Sequence, residues 1–272
     1  MMQQQQRVRR SRSPAWDNLP STALVIIFSK SSLKDRIYNL PLICKSWANT
    51  SHHPHCWVSF TVAPPVDAFV KSSPAFLDPF DGRRSSDPQI GIHALHSLIS
   101  KAAGGSALIS LYFYPFLTSL DGPSNDDALL KLISTSCPNL KHLSFHGSFN
   151  ASEEVLLQVV RSCPNLELVD FSDSPYFTPA ILQEMEIHCP NIRGIRRNGF
   201  VQPFLSSTLI KCFPGLKLLN LSDSSIGDRD LLTLVTGNSR LEYLDIMRCQ
   251  ILMLYMYIIK GAHHRIAEIH YD

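Results

Sequence analysis

The chain has 272 residues, of which 44% are hydrophobic and 18% charged, and its formal net charge is +2. Four arginines in the first dozen residues (Arg7, Arg9, Arg10 and Arg12) leave a charge of about −2 for the rest, which disfavours broad nucleic-acid binding. No segment approaches the roughly 18 apolar residues that a membrane span needs. We therefore expect partners that are neither nucleic acids nor membranes.

Two stretches have the composition of irregular chain. Residues 1–13 combine glutamines, arginines and serines without apolar periodicity, and they predict a disordered basic tail. The run Arg7–Arg12 could also be a nuclear address or contact nucleic acid, but such runs are more often solvated tails. Residues 61–90 contain five prolines among Ser, Asp and Gly, which predicts a Pro-rich linker.

Residues 14–60 carry three short apolar stripes at helical spacing. The stripes are Leu24, Ile27 and Phe28; Leu33 and Ile37; and, after Pro41, Ile43, Cys44 and Trp47. Three amphipathic helices in fewer than fifty residues form a small core and leave an apolar face for a partner.

Residues 91–272 repeat one phrase, L-x-x-L-x-Φ, where Φ is apolar. Its seven copies begin at Leu108, Leu140, Leu166, Ile192, Leu216, Leu241 and Ile266. From Leu140 onward the steps are 24 to 26 residues, which is a leucine-rich-repeat period. Cys-Pro-Asn precedes three copies, at Cys137, Cys163 and Cys189, and its proline ends the preceding helix.

These patterns predict an α/β protein with three N-terminal helices followed by a leucine-rich-repeat solenoid. In each copy, two apolar residues alternate on one face of a short strand, and a helical stretch follows. One strand–helix unit cannot bury its apolar faces alone, whereas stacked units can. The expected result is a short curved solenoid with a parallel sheet on its concave side.

The seven cysteines form no C-x-x-C pair, and Cys137, Cys163, Cys189 and Cys212 occupy equivalent repeat positions. This spacing favours reduced, packed thiols and an intracellular protein, cytoplasmic, nuclear or both. The cluster His52-His-Pro-His-Cys56 lacks the ligand spacing of a zinc site, so we expect a polar loop and no metal. No enzyme motif is present, and we expect no catalytic residues and no cofactor.

Four segments between Trp16 and Trp57 resemble an F-box. They are Trp16-Asp-x-Leu-Pro, Ile27-Phe-Ser, Ile43-Cys-Lys-Ser-Trp47 and Cys56-Trp57. With the repeats that follow, the chain resembles the F-box/leucine-rich-repeat substrate receptors of SCF-type cullin–RING ubiquitin ligases, especially the plant members with Cys-Pro-Asn-Leu repeats. The resemblance implies that the F-box binds a Skp-family adaptor, and through it the cullin–RING ligase. The repeats would bind an unidentified protein destined for ubiquitylation and proteasomal degradation.

Carried over by position, the resemblance assigns nine residues to adaptor binding: Leu19, Pro20, Ile27, Phe28, Pro41, Ile43, Cys44, Lys45 and Trp47. Ser31 stands where the F-box pattern has an apolar residue, which weakens the expected contact. Arg197 stands at an inward strand position where other copies are apolar, so we expect an irregular repeat there.

Strand alternation predicts which side chains point outward on the concave side. Those of types that anchor protein partners are the candidate substrate-binding residues: Tyr112, Tyr114, His142, Leu168, Asp170, Arg196, Leu218, Tyr243 and Met247. The alternative function is a repeat scaffold without a ligase role, in which the N-terminal helices only cap the solenoid. A cap would hide Ile27, Phe28 and Trp47, whereas an adaptor-binding module would leave part of that surface open.

Overall fold

The computed structural model describes residues 16–62, 92–102, 104, 106–113, 127–145, 151–172, 178–201, 205–250 and 255–271. The predicted basic tail, most of the predicted linker and the candidate residue Tyr114 lie outside these ranges. The domain limits of 1–13, 14–60, 61–90 and 91–272 stay predictions.

Residues 16–57, here called the helical module, contain two α-helices, one π-helical turn and three 3-10 turns. The α-helices are α1 (Ser21–Lys30) and α2 (Lys45–Thr50). Between them lie a π-helical turn at Asp35–Asn39 and a 3-10 turn at Leu40–Leu42. The flanking turns are Trp16–Asn18 and Pro54–Trp57.

Apolar periodicity explains how the helical module forms its core. Leu24 and Phe28 are one helical turn apart in α1, and both are fully buried. Ser32 bonds to the first residue of the π-helical turn: its Oγ accepts from the backbone N–H of Asp35 at 3.0 Å and donates to the Asp35 carboxylate at 2.8 Å. α1 packs on α2 and on the Pro54–Trp57 turn.

Eight parallel strands form the main sheet, in the order β1-β2-β3-β4-β5-β7-β9-β10. These strands are β1 (Ser59–Val62), β2 (Ser110–Phe113), β3 (His142–Phe145), β4 (Leu168–Asp170), β5 (Gly194–Arg196), β7 (Leu218–Asn220), β9 (Tyr243–Asp245) and β10 (Glu268–His270). The helices between them are α3 (Ile92–Lys101), α4 (Asp127–Ser136), α5 (Glu153–Ser162), α6 (Pro179–His188), α7 (Leu205–Cys212), α8 (Asp228–Gly237) and α9 (Tyr255–Ala262). Successive helices pack side by side, as stacked strand–helix units require.

The structure confirms the seven predicted strands and adds an eighth, β1, which precedes them. β1 pairs in parallel with β2 from Ser59↔Ser110 to Val62↔Phe113. It lacks the leucine signature, but apolar residues alternate in the sequence from Val58, just before the strand, through Phe60 to Val62, and this alternation is the signal that could have revealed it. The predicted limit between F-box and linker, after residue 60, therefore falls inside a strand.

A second, two-stranded sheet pairs β6 (Gly199–Phe200) with β8 (Ser224–Ser225), and a bridge extends it from Ser225 to Gln250. Arg197 lies just before β6 and is 7% exposed. Its backbone N–H donates to Asn220 O, and its carbonyl accepts from Ser224 Oγ at 3.0 Å. The chain thus leaves the regular repeat at Arg197 to form this extra sheet.

The repeated cysteines hold neighbouring repeats together. The thiol of Cys163 donates to the carbonyl of Cys137 at 3.5 Å, and the thiol of Cys189 donates to the carbonyl of Cys163 at 3.6 Å. All three are fully buried, and burial raises the pKa of each thiol to about 12. None of the seven cysteines forms a disulfide. A small thiol at this position therefore fills space and bonds to the preceding repeat.

Candidate protein-interaction surfaces

The helical module exposes a concentration of large apolar side chains. Of nine such exposed residues in the described chain, five lie between residues 16 and 43: Trp16, Ile26, Tyr38, Leu42 and Ile43. Leu42 is the most open, at 82% exposed. A concentration of this kind on a small module is typical of a surface that a partner protein covers.

Backbone geometry places Leu42 and Ile43 on the outside. The 3-10 turn ends at Leu42, and Cys44 is extended, with φ −164° and ψ 173°, before α2 begins at Lys45. The third helix therefore starts after Cys44, rather than at Pro41 as the sequence predicts. This break lets Trp47 enter the core while Leu42 and Ile43 stay in solvent.

The nine predicted adaptor-binding residues fall into three groups. Pro20, Ile43 and Lys45 are exposed, while Leu19, Ile27, Pro41 and Cys44 are half-buried. Phe28 and Trp47 differ from the expectation, because they are buried in the module core at 0% and 5% exposed. Sequence reasoning missed Leu42. The only indication of it in the sequence is that an apolar residue directly follows Pro41. The predicted surface is therefore partly open, and its open part centres on Leu42 and Ile43.

Ser31, the departure from the F-box pattern, is half-buried at the end of α1. Its Oγ donates to the carbonyl of Ile27 at 2.7 Å, and its backbone N–H donates to Phe28 O at 3.1 Å. The hydroxyl is thereby satisfied inside the module.

On the concave side of the sheet, parallel register aligns two rows of outward side chains. The first row is Ser110, His142, Leu168, Gly194, Leu218, Tyr243 and Glu268. The second row is Tyr112, Ser144, Asp170, Arg196, Asn220, Asp245 and His270. Every described candidate substrate-binding residue except Met247 lies in one of these rows, and Met247 follows β9.

The middle of the first row is apolar. Leu168 and Leu218 are half-buried and flank Gly194. A Cβ added at Gly194 would lie 2.3 Å from Leu168 Cδ2 and 3.3 Å from Leu218 Cβ, so the two leucines close over the glycine. Beside them, His142 Nδ1 lies 2.9 Å from Ser110 Oγ, and burial lowers the pKa of His142. The centre of the concave face is therefore a small apolar surface beside the His142 imidazole.

The second row is a chain of buried polar contacts. Asp170 accepts from Ser144 Oγ at 3.0 Å and lies 3.7 Å from Arg196 Nη1. Asp245 accepts from Asn220 Nδ2 at 3.0 Å and from the Tyr243 hydroxyl at 3.3 Å. Such contacts satisfy groups that would otherwise be costly to bury.

The same row also fixes the turns that follow three strands. Asp170, Asn220 and Asp245 each accept a backbone N–H two residues ahead, from Ser172, Ser222 and Met247 respectively. The row therefore stabilises the solenoid itself.

Burial divides the predicted substrate-binding residues. Asp170, Arg196 and Tyr243 are 6%, 5% and 2% exposed, so they are not open anchors. Residues of neighbouring repeats contact them: Ser144 at Asp170, Asp170 at Arg196 and the His270 ring at Tyr243. The half-buried candidates are Tyr112, His142, Leu168, Leu218 and Met247. These five side chains are the part of the prediction that a partner could reach directly.

Within the described residues, no group of three or more His, Cys, Asp or Glu side chains is arranged to hold a metal ion. In the same ranges, no helix has the length and apolar character needed to span a bilayer.

Comparison with known proteins gives a sequence relative and distant structural neighbours. No protein-family model matches the chain. An F-box/LRR-repeat protein of Arabidopsis thaliana is 24% identical over 247 residues, which is 90% of this chain and 75% of that protein.

Two solved structures show how low the structural similarity is. The yeast Rad7–Elc1 complex has a TM-score of 0.42 and 15% identity, covering 57% of this chain and 40% of that chain. An internalin of Listeria monocytogenes has a TM-score of 0.36 and 15% identity, covering 65% and 45%. The chain thus spans less than half of either neighbour. In sequence, over nine-tenths of its length, it resembles the F-box/leucine-rich-repeat proteins, and its parallel strand–helix repeats form a leucine-rich-repeat solenoid.

Proposed function

We propose that this chain is a non-catalytic substrate-recognition subunit of an SCF-type ubiquitin ligase. The helical module is the F-box and binds a Skp-family adaptor through the surface around Leu42 and Ile43. The repeats bind the target protein on the concave side, at the half-buried residues Tyr112, His142, Leu168, Leu218 and Met247. The chain accelerates ubiquitylation by proximity, because it brings the target to an active site on another subunit.

The exposed apolar surface of the helical module carries this proposal. Leaving apolar area in water costs about 25 cal/mol per Å², so a folded module gains by covering Leu42 and Ile43 with a partner. The resemblance to the F-box and the relative from Arabidopsis thaliana support the adaptor as that partner. In the alternative, a scaffold without a ligase role, the module serves only as a cap. The structure has a feature expected of each function. Phe28 and Trp47 are buried, as in a cap, and Ile43 is exposed, as in an adaptor-binding module.

The test is co-expression with a plant Skp-family adaptor, followed by pull-down. The informative variant is Leu42→Asp with Ile43→Asp, because it places charge on the open surface and leaves the core residues in place. Ile187→Asp is the matched control, since Ile187 is 68% exposed but lies on α6 in the repeats. We expect wild type and the control to bind, and the double variant to lose binding.

The result also decides between the two functions. If the folded wild-type chain does not bind the adaptor, the scaffold becomes the better assignment. If the double variant binds as wild type does, the adaptor surface lies elsewhere on the module.

A further inference from the structure

Two cations from different parts of the chain lie near the ring of Trp57. The Arg36 guanidinium carbon is 5.8 Å from the centroid of its ring, and Lys101 Nζ is 4.9 Å from it. Trp57 is fully buried, and its indole N–H donates to Ser51 O at 2.8 Å. Cations are attracted to the face of a tryptophan ring, more strongly when water is excluded. Arg36 belongs to the helical module and Lys101 to α3, so this ring joins the two.

Arg36 also bonds to the chain that enters the first strand. Its Nη1 donates to Cys56 O at 3.0 Å and to Ser59 O at 2.8 Å, and the residue is only 5% exposed. Ser59 begins β1, which pairs with β2 over four residues. Val58 O accepts from the backbone N–H of Ile109 at 2.8 Å. Hydrogen bonds therefore connect the module to β1, and β1 to β2 of the main sheet.

Residues 63–91 thus connect two elements that already belong to the repeats. β1, before this segment, pairs with β2, and α3, after it, packs on α4 and on the Pro54–Trp57 turn. In chain order, residues 63–91 therefore stand between β1 and α3, as each later connection stands between a strand and a helix.

We propose that the helical module, β1 and α3 form one folding unit, and that Arg36 is the positioning residue that fixes the module on the sheet. The unit follows from the contacts alone. Its consequence rests on the proposed function: the adaptor surface around Leu42 and Ile43 is held at one orientation to the concave face.

The test is native-state hydrogen exchange, read by mass spectrometry, on the full-length chain carrying Arg36→Met. Lys30→Met is the matched control, because Lys30 is exposed at the end of α1. We expect Arg36→Met to speed exchange in Asp35–Asn39, β1 and α3 together by about tenfold, and to leave β7 to β10 unchanged. Arg36→Lys, which keeps a cation over Trp57, should restore part of the protection. Faster exchange confined to Asp35–Asn39, with β1 and α3 as in wild type, would overturn the proposal.

A reciprocal variant keeps the test decisive if Arg36→Met does not fold. Lys101→Met changes a residue of the repeats, and we expect it to speed exchange in Asp35–Asn39 of the module by about threefold or more. Unchanged exchange there would count against one folding unit. Adaptor pull-down separates the two proposals: if wild type fails to bind the adaptor, the proposed function falls, but the exchange result stands.

Discussion

The indole Nε1 of Trp47 donates a hydrogen bond to the backbone carbonyl of Trp16, 3.0 Å away. The Trp47 ring also meets the ring of Phe28, with centroids 6.0 Å apart and an interplanar angle of 50°. The first turn of the helical module is thereby fastened to α2 through a side chain that is 5% exposed. Trp47 is therefore a core residue of the module, whereas Leu42 and Ile43 are exposed.

Trp47→Ala should lower the free energy of unfolding by about 4 kcal/mol, because it removes a buried aromatic side chain and leaves a cavity. Trp16→Ala is the control. It keeps the accepting carbonyl and removes a ring that is 56% exposed, so it should cost no more than about 0.5 kcal/mol. Urea denaturation followed by circular dichroism measures both. Equal losses in the two variants would show that Trp47 is not part of the core.

Asp170→Ala should destabilise the solenoid by about 3 kcal/mol, since it removes the carboxylate that lies 3.7 Å from the buried Arg196 guanidinium and the acceptor for Ser144 and Ser172. Glu242→Ala is the matched control. It removes a carboxylate whose ion pair with Lys217 is largely exposed, and such pairs contribute about 0.5 kcal/mol. Chemical denaturation gives both values. A loss at Asp170 no larger than at Glu242 would mean that the buried row does not stabilise the fold.

Acid should weaken the solenoid through Glu167. Lys141 Nζ at 2.8 Å and Arg193 Nε at 3.0 Å both contact its carboxylate, and the hydrogen bond from Lys141 is the main cause of its lowered pKa. Because the folded pKa lies below the unfolded value of about 4.3, the stabilisation is present above that pH and is lost as pH falls through the folded pKa. Melting temperatures between about pH 5 and pH 3 should therefore fall less steeply for Glu167→Gln than for wild type.

The control for this acid effect is Glu154→Gln, which removes an exposed carboxylate from α5. It should retain the steep wild-type profile. Superimposable profiles for wild type and Glu167→Gln would contradict the assignment.

Two of the seven cysteines should react with iodoacetamide at pH 8 in the folded protein. Cys44 and Cys249 are half-buried, whereas the other five are buried. Burial raises the pKa of Cys56 and Cys212 to about 11, and that of Cys137, Cys163 and Cys189 to about 12, so their reactive thiolates are scarce. Mass spectrometry of alkylated peptides, with and without denaturant, checks this pattern. Rapid labelling of Cys163 in the native state would be inconsistent with the packed thiols described here.

The repeat period predicts the sheet well because it can be read directly from the spacing of apolar residues in the sequence. The anchors Leu140, Leu166 and Ile192 recur at a fixed spacing, and equivalent positions of stacked units must pair in parallel. Burial along the concave rows was not predictable in the same way. Strand alternation predicts that the side chains of Asp170 and Tyr243 point outward. Both are nevertheless buried by contacts with neighbouring strands. The alternation within one repeat does not reveal those contacts.

The helical module shows a different limit of sequence reasoning. An apolar stripe such as Leu24, Ile27 and Phe28 has the same spacing whether it packs inward or binds a partner, so periodicity cannot distinguish the two. Local backbone geometry decides, as at Cys44, where an extended residue separates the exposed Ile43 from the buried Trp47. Periodicity carries no information about that break.

The bonds between cysteines of successive repeats imply that the solenoid can change length by whole units. The Sγ of Cys163 and of Cys189 donates to a carbonyl one repeat back, 26 residues earlier in the chain, so two successive junctions between units share the same contact. A duplicated unit from Cys163 to His188 would present the same thiol and the same carbonyl to its neighbours. Gain or loss of such units during evolution would therefore alter the span of the concave face and leave the first repeat unchanged.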